Sequence, residues 1–584
     1  MSATLIEFGK FRLDFTEHLL YGEDGEVVPL KPKVVETLEL LVQESGRLIS
    51  KDELMSRLWP DTVVEESNLT QNVYLLRKVL GSDSSGRGYI ETVPKRGYRF
   101  TADVDETTGT DSRPRRTSTR AAHSSSNSIA VLPLANESQD PQAEYLSDGI
   151  TESIINHLAQ LPQLKVIARS TVFRYKGRDV SPEKIGRELG VNVVLTGRVL
   201  LLGDKLIVRT ELVDAVEGWQ LWGEQYNRLS SDILELQEVI AQDISGKLQV
   251  RLTGEDRKRL AKRPTDNTEA YHLFIKGRYY LNKRLNEQIP KAVDYFKAAI
   301  DLDPTYAAAY VGLADCYPLL TLYGALSPSD AYTKAEAAAR KALEIDGSLA
   351  DAHNALGVIK LFYTWDWLGA EQKFLQAIEL NPSYADAHQR YGMLLVAKQQ
   401  FEEAEGEFEK ALVIDPLSLI TRTFRGYPFY YARNFDAAVN RFKEVIEMDQ
   451  DYSMAHFRLG LAYAQLGRYS EALDELHSSQ KISGDRDIVA ALGYVQAKAG
   501  NVDAAHEALN ELNRREETSF VSAYDRVLVF LGLGDVERSL EWLEKARDER
   551  SYWLIYVNSD PVLDPLRTSA RFEALRSEIA GELK

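Results

Sequence analysis

The chain has 584 residues, of which 44% are apolar and 27% charged, and its net charge is −18. That length is too great for one core and implies about three or four domains of ordinary globular composition. The acidic balance confines any contact with nucleic acid to a local basic patch, and the one cysteine, Cys316, excludes intrachain disulfides and thiolate zinc sites. The opening "MSATLIEFGKFRLDF" alternates apolar and polar residues and has no signal-peptide core. No run of about 18 apolar residues occurs, so no membrane span and a cytoplasmic location are expected.

Residues 1–102 begin with strand-like alternation in "LIEFGKFRLDFTEHLLYGEDGEVVPL". Three helical patterns follow: "PKVVETLELLVQESG", "SKDELMSRLWP" and "SNLTQNVYLLRKVLG". The hairpin "RGYIETVPKRGYRFTA" ends this part. In the third helix Leu69, Val73, Leu76 and Leu80 fall on one face. Ser67, Gln71, Tyr74 and Lys78 centre on the other, with Asn68 and Arg77 at its edges. Between Arg77 and Arg99 six basic residues (Arg77, Lys78, Arg87, Lys95, Arg96, Arg99) stand against two acidic ones (Asp83, Glu91). Strands, three helices and a hairpin in this order predict a winged helix-turn-helix.

The segments "LISKDELMSRLWP", "NLTQNVYLLRKVLG" and "YIETVPKRGYRF" closely resemble the DNA-binding domain of the OmpR and PhoB family. The resemblance implies that double-stranded DNA is a partner and that RNA polymerase is a second one. It also implies a dimer on tandem half-sites. Ser67, Asn68, Gln71 and Tyr74 are then the expected base contacts in the major groove. Arg77, Lys78, Lys95, Arg96 and Arg99 are the expected contacts to the backbone or minor groove. The receiver module of such regulators has no room before residue 5, so the input is expected from the C-terminal side.

Residues 103–127, "DVDETTGTDSRPRRTSTRAAHSSSN", are too polar to offset their ordering entropy and are expected to be a flexible linker. Residues 128–252 then read as an α/β domain. Its strands are "SIAVLPLA", "LKVIA", "VNVVLTGRVLLLG", "KLIVRTELVDA" and "GWQLWGEQYNR". Its helices are "EYLSDGITESIINHLAQL", "SPEKIGRELG" and "SDILELQEVIAQDISGKLQVRL". The segments "IAVLPLANES", "VIARSTVFRYKG" and "IGRELGVNVVLTGRV" resemble, less specifically, the TolB-like module of bacterial regulators, which implies no catalytic site. Gly149, Arg198 and Trp222 read as structural, and Asp148 with Glu152 reads as a helix-surface pair. Residues 253–267 form a polar connector.

From Thr268 to about Arg550 a short phrase recurs, ending at Ala292, Ala335, Ala370, Ala404, Ala438, Ala472, Ala505 and Ser539. The spacings are 43, 35, 34, 34, 34, 33 and 34. A glycine recurs at Gly312, Gly357, Gly392, Gly426, Gly460 and Gly493, and Phe296, Phe374, Phe408 and Phe442 are placed to fill the space beside the small residues. A period of 34 with small residues at fixed offsets resembles the tetratricopeptide repeat. The resemblance covers residues 268–550 as about eight units and implies a solenoid with a concave surface for a protein or peptide ligand. Residues 551–584 depart from the pattern and read as a cap. His353, His388 and His456 share one repeat position. Stacked repeats hold equivalent residues about 10 Å apart, so packing is expected there and no metal.

No Walker loop, dinucleotide fingerprint or HExxH is present, so neither enzyme chemistry nor a cofactor is expected. The expectation is a multidomain α+β chain: winged helix-turn-helix, central α/β domain and all-α repeat solenoid. It would be a transcriptional regulator whose repeats bind the controlling partner. Two alternatives stay open: a repeat scaffold that does not bind DNA, and a regulatory subunit that takes a small ligand in residues 128–252.

Overall fold

A computed structural model describes residues 4–15, 19–22, 28, 30, 32–58, 66–81, 88–93, 96–102, 104–108, 127–138, 143–161, 163–248, 253–254, 263–483 and 486–580. Two compact units are present, residues 1–122 and 123–584.

In the first unit β1 (Thr4–Phe8), β2 (Phe11–Asp14) and β3 (Leu19–Tyr21) form an antiparallel meander. Helices α1 (Pro32–Gln43), α2 (Lys51–Leu58) and α3 (Glu66–Leu80) follow, with β4 (Leu48–Ser50) between the first two. Strand β4 joins the hairpin β5 (Ile90–Val93) and β6 (Gly97–Phe100) in a sheet of order β4-β6-β5. The approach of β4 to β6 requires a glycine. A Cβ on Gly97 would lie 1.9 Å from the Ile49 carbonyl oxygen. Ser50 caps α2 by accepting the Glu53 amide at 3.1 Å. One core holds both sheets and the three helices, with Phe8, Leu13, Leu38, Leu41, Ile49, Leu69, Leu76 and Phe100 buried.

The stretch assigned to the linker begins differently from its expectation. Strand β7 (Asp105–Thr108) pairs antiparallel with β1 and adds a fourth strand to the N-terminal sheet. Backbone pairing with β1 there overrides a polar sequence. Residues 103 and 109–126 lie outside the described residues.

The second unit opens with the α/β domain. Its strands are β8 (Asn127–Val131), β9 (Ala135–Asn136), β10 (Leu164–Val166), β11 (Val193–Leu202), β12 (Lys205–Asp214) and β13 (Gln220–Leu229). The order is β10-β8-β11-β12-β13, parallel on the β10 side and antiparallel from β11 onward, and β9 adds to β11. Helices α4 (Glu144–Ala159), α5 (Arg169–Val172), α6 (Pro182–Leu189) and α7 (Ile233–Lys247) pack on it.

Among the described residues eight helical hairpin units follow, from Thr268–Asn282 with Ile289–Leu302 to Ala523–Gly532 with Val536–Asp548, the first helix of the fifth being split into Leu419–Phe424 and Tyr427–Tyr431. The repeated glycines work as their period suggests. A Cβ on Gly357, Gly392 or Gly426 would lie 2.4–2.7 Å from the ring of Phe374, Phe408 or Phe442, each fully buried. The turn carboxylates and amides cap the units. Asp303, Asp346, Asn381 and Asp449 each accept the amide two residues on. The repeat histidines are held singly. His388 Nδ1 and His456 Nδ1 each lie 2.6 Å from Glu407 and Glu475, and His353 Nε2 lies 3.0 Å from the Gly347 carbonyl.

The α/β domain and the repeats share a core. Tyr271, Ile275, Tyr306 and Ala309 of the first repeats are buried with Ile150, Ile154 and Ile240. Gly149 of α4 lets Ile275 approach, since a Cβ there would lie 3.0 Å from it. This contact corrects the expectation that Asp148 and Glu152 are a surface pair. Both are buried, at 6% and 8% exposure. Glu152 meets Arg169 and Arg278 at 2.8 Å and Asn282 at 3.0 Å, and these cations hold its carboxyl below the usual range against the effect of burial. Asp148 meets Lys176 at 2.5 Å. A second clasp lies at the fourth repeat turn, where Asp415 accepts Ser170 and Thr171 hydroxyls at 2.5 Å and the Ala168 amide donates to the Ile414 carbonyl at 3.0 Å.

Candidate nucleic-acid interface

The face of α3 opposite its core stripe is open. Leu69, Val73, Leu76 and Leu80 are at most 1% exposed. Asn68, Gln71 and Lys78 are exposed, and Tyr74 is 64% exposed. An amide pair from the first half of an otherwise anchored helix and a phenol just past its middle thus project outward, and such amides can read base edges in a major groove. Ser67 stands in the first turn of α3, and its side chain lies outside the described residues, as do Lys95 and Arg87.

Two of the expected phosphate contacts are engaged within the unit. The Arg77 guanidinium donates to the Ile90 carbonyl at 3.0 and 3.1 Å and to the Thr92 hydroxyl at 2.6 Å, which ties α3 to the wing. Arg99 faces Glu91 across β5 and β6 at 3.4 Å. Arg47, just before α2, and Arg57, in its last turn, both pair with Glu44 and Glu53, and their hydrogen bonds hold the Glu44 carboxyl below its usual range. Lys78 and Arg96 are exposed, and among the described residues no carboxylate pairs with either.

Asn72 has a role that sequence reasoning missed. Its amide donates to the Lys33 carbonyl at 3.2 Å and the Thr37 hydroxyl at 3.1 Å, locking α3 to α1. Its signal was slight: a polar residue at the border between the two faces. The rotation of the exposed face of α3 therefore rests on Asn72 on one side and Arg77 on the other.

Comparison with known proteins follows the same division. Residues 25–100 match the family "Transcriptional regulatory protein, C terminal", and residues 124–243 match "HilA/YgeH-like transcriptional regulator, second domain". The middle match therefore carries a regulator name other than the TolB-like likeness of its sequence. Residues 373–406 and 425–482 match tetratricopeptide repeats. The chain is 24% identical over 569 residues to "Transcriptional regulator HilA" of Salmonella paratyphi A, covering 96% of this chain and 97% of that one. It is 34% identical over 233 residues to "Putative adenylate cyclase 3" of Rhizobium meliloti, covering 40% of each. Over 84 residues, 14% of this chain and 16% of the relative, it is 37% identical to "Transcriptional activator CadC" of Escherichia coli. Among the described residues no helix is long and apolar enough to cross a membrane. The chain is a DNA-binding transcriptional regulator that carries an OmpR/PhoB-type winged helix-turn-helix, a HilA/YgeH-like second domain and C-terminal tetratricopeptide repeats.

Proposed function

We propose that α3 reads promoter DNA through Asn68, Gln71 and Tyr74, with Ser67 at its N-terminal end. Lys78 and Arg96, joined by Lys95, neutralise phosphates. Arg77 and Arg99 act on the duplex chiefly by holding the wing in place. The single observation that supports this most is the pairing of a fully buried stripe with an amide-bearing, open face on one helix.

The repeats bind a protein or peptide whose presence sets activity, and RNA polymerase is the contact that turns DNA binding into transcription. The protein works in the cytoplasm, without catalysis of its own, as a dimer on tandem half-sites. The deciding experiment is footprinting of the full chain across its own promoter region. Two protected half-sites spaced by about one helical turn, 10–10.5 bp, support the reading. A footprint on one half-site at saturation sinks the dimer, and absence of any footprint at low salt sinks the whole assignment.

A further inference from the structure

Residues 551–569 do more than cap the last repeat. The helix Ala570–Ala580 does cap it, through Arg571 on Glu544 at 3.0 Å and Arg547 on Glu578 at 3.1 Å. The stretch before that helix runs back across the first helices of earlier units. Tyr552 stacks on Phe362 of the third unit at 4.4 Å. Tyr556 stacks on Tyr431 of the fifth at 4.4 Å and meets the edge of Tyr427 at 5.9 Å. Trp553 covers the Arg458 guanidinium of the sixth at 4.4 Å. Asp560 accepts the Tyr524 hydroxyl of the eighth at 2.8 Å, and Asp564 pairs with Arg433 at 2.6 Å. First helices form the inner wall of such a solenoid, so the segment fills the concave surface that a partner would use.

The segment is deeply seated, with Leu554, Ile555, Tyr556 and Val557 fully buried, but two features set it apart from the repeat core. The segment's own backbone bonds are nearly all internal or to the adjacent helix: Ser551 to Ala546, Leu554 to Ser551, Val557 to Leu554, Ser559 and Asp560 to Tyr556. No backbone ladder joins it to the first helices it crosses. The contact is also poorly satisfied in its polar groups. Arg458 is 5% exposed, yet its Nε and Nη2 have no hydrogen-bond partner, and the same holds for the Tyr430 and Tyr556 hydroxyls, Asn558 Nδ2 and Ser559 Oγ. Buried donors of this kind are costly, and a guanidinium most of all.

We propose that residues 551–569 are an intrachain ligand of the repeat groove. The external partner is an extended peptide that takes their place, with an aromatic–aliphatic run on Phe362, Tyr427 and Tyr431 and a carboxylate on Arg458. This rests on the reading that the repeats hold the partner. It adds that the groove is closed until that partner competes.

The test uses the full chain and a labelled synthetic peptide of residues 551–569. Asp564→Arg breaks the exposed pair with Arg433 from the segment's side and leaves the groove wall, Arg433 included, intact for the wild-type peptide. It should raise hydrogen exchange across 552–566 and tighten peptide binding about fivefold relative to wild type, the scale of one exposed ion pair. Exchange in Ser453–Gln465 should not change. The charge swap Arg433→Asp with Asp564→Arg should restore wild-type exchange across 552–566, which separates release of the segment from misfolding. If the peptide binds neither protein, or if the segment and Ser453–Gln465 exchange together in both, the segment is permanent core and the proposal is overturned. Regulation in cells that still requires the repeats would then leave the partner reading standing. Regulation that survives their removal would defeat that reading instead.

Discussion

The Arg77 guanidinium reaches from the recognition helix to the Ile90 carbonyl in the wing, with bonds of 3.0 and 3.1 Å. A cation that looks ready for phosphate is thus partly consumed in setting the angle between α3 and the β5–β6 hairpin. Arg77→Ala should cost the N-terminal unit about 1–2 kcal/mol, read by urea unfolding of residues 1–122. It should weaken operator and random DNA alike. Lys78→Ala should leave stability unchanged and reduce the salt slope of binding by about one unit. Equal stability losses in the two variants would show that Arg77 does not brace the wing.

Base reading and phosphate anchoring should separate at Gln71 and Arg96. Gln71→Ala should flatten preference at one base position, worth roughly 1–3 kcal/mol, with little change in salt dependence. Arg96→Ala should weaken all sequences together and lower the slope by about one unit. Binding of operator variants at two salt concentrations measures both. Loss of all sequences equally in Gln71→Ala would mean that another face of α3 enters the groove.

The N-terminal unit has its own core. A chain cut after residue 122 should keep operator affinity within a few fold and lose regulation in cells. A cut after residue 267 is a poorer test, because it strips Tyr271, Ile275 and Tyr306 from the core they share with the α/β domain. Residues 1–122 that fail to bind DNA at any salt would overturn the assignment of the reading surface.

Repeat packing gives a prediction of opposite signs in volume. Phe408→Ala empties a fully buried site and should cost about 3–5 kcal/mol. Gly392→Ala puts a methyl 2.7 Å from the same ring and should cost about 1–3 kcal/mol. Thermal unfolding of the full chain reads both. A neutral Gly392→Ala would mean that the ring moves freely, contrary to the close packing seen.

Asp315 supplies a pH dependence. Burial pushes its carboxyl up to about 7, with Asp351 and Asp386 acting in the same direction and Arg278, 3.7 Å away, opposing them. The folded state therefore binds this proton more tightly than the unfolded chain, whose value is near 3.8. The stabilisation is full below that value and is lost as pH rises from about 4 to about 7. Asp315→Asn should flatten the fall in melting temperature over that window and make the variant relatively more stable at pH 8. An unchanged pH slope would remove Asp315 from the account. Its side chain is 36% exposed, which screens the effect and keeps it modest.

Much of this architecture is written in short-range pattern. The 34-residue period, the glycines that face Phe374, Phe408 and Phe442, and the stripe Leu69, Val73, Leu76, Leu80 all repeat at intervals set by helix geometry, so the sequence alone determined the repeats and the core face of α3. What lies across the chain is invisible to such patterns. Arg77 and Lys78 are neighbours of like charge, and only the position of Ile90 decides that one is tied down and the other left exposed. Asp148 and Glu152 read as solvated until Arg169, Lys176 and Arg278 close over them from other elements. The aromatic run of residues 552–556 reads as the end of an array until the superhelix curls enough to bring Phe362, Tyr431 and Arg458 around it. Periodicity reports which face of an element is apolar. Which distant group meets that face depends on the path of the whole backbone, and only the tertiary structure decided it.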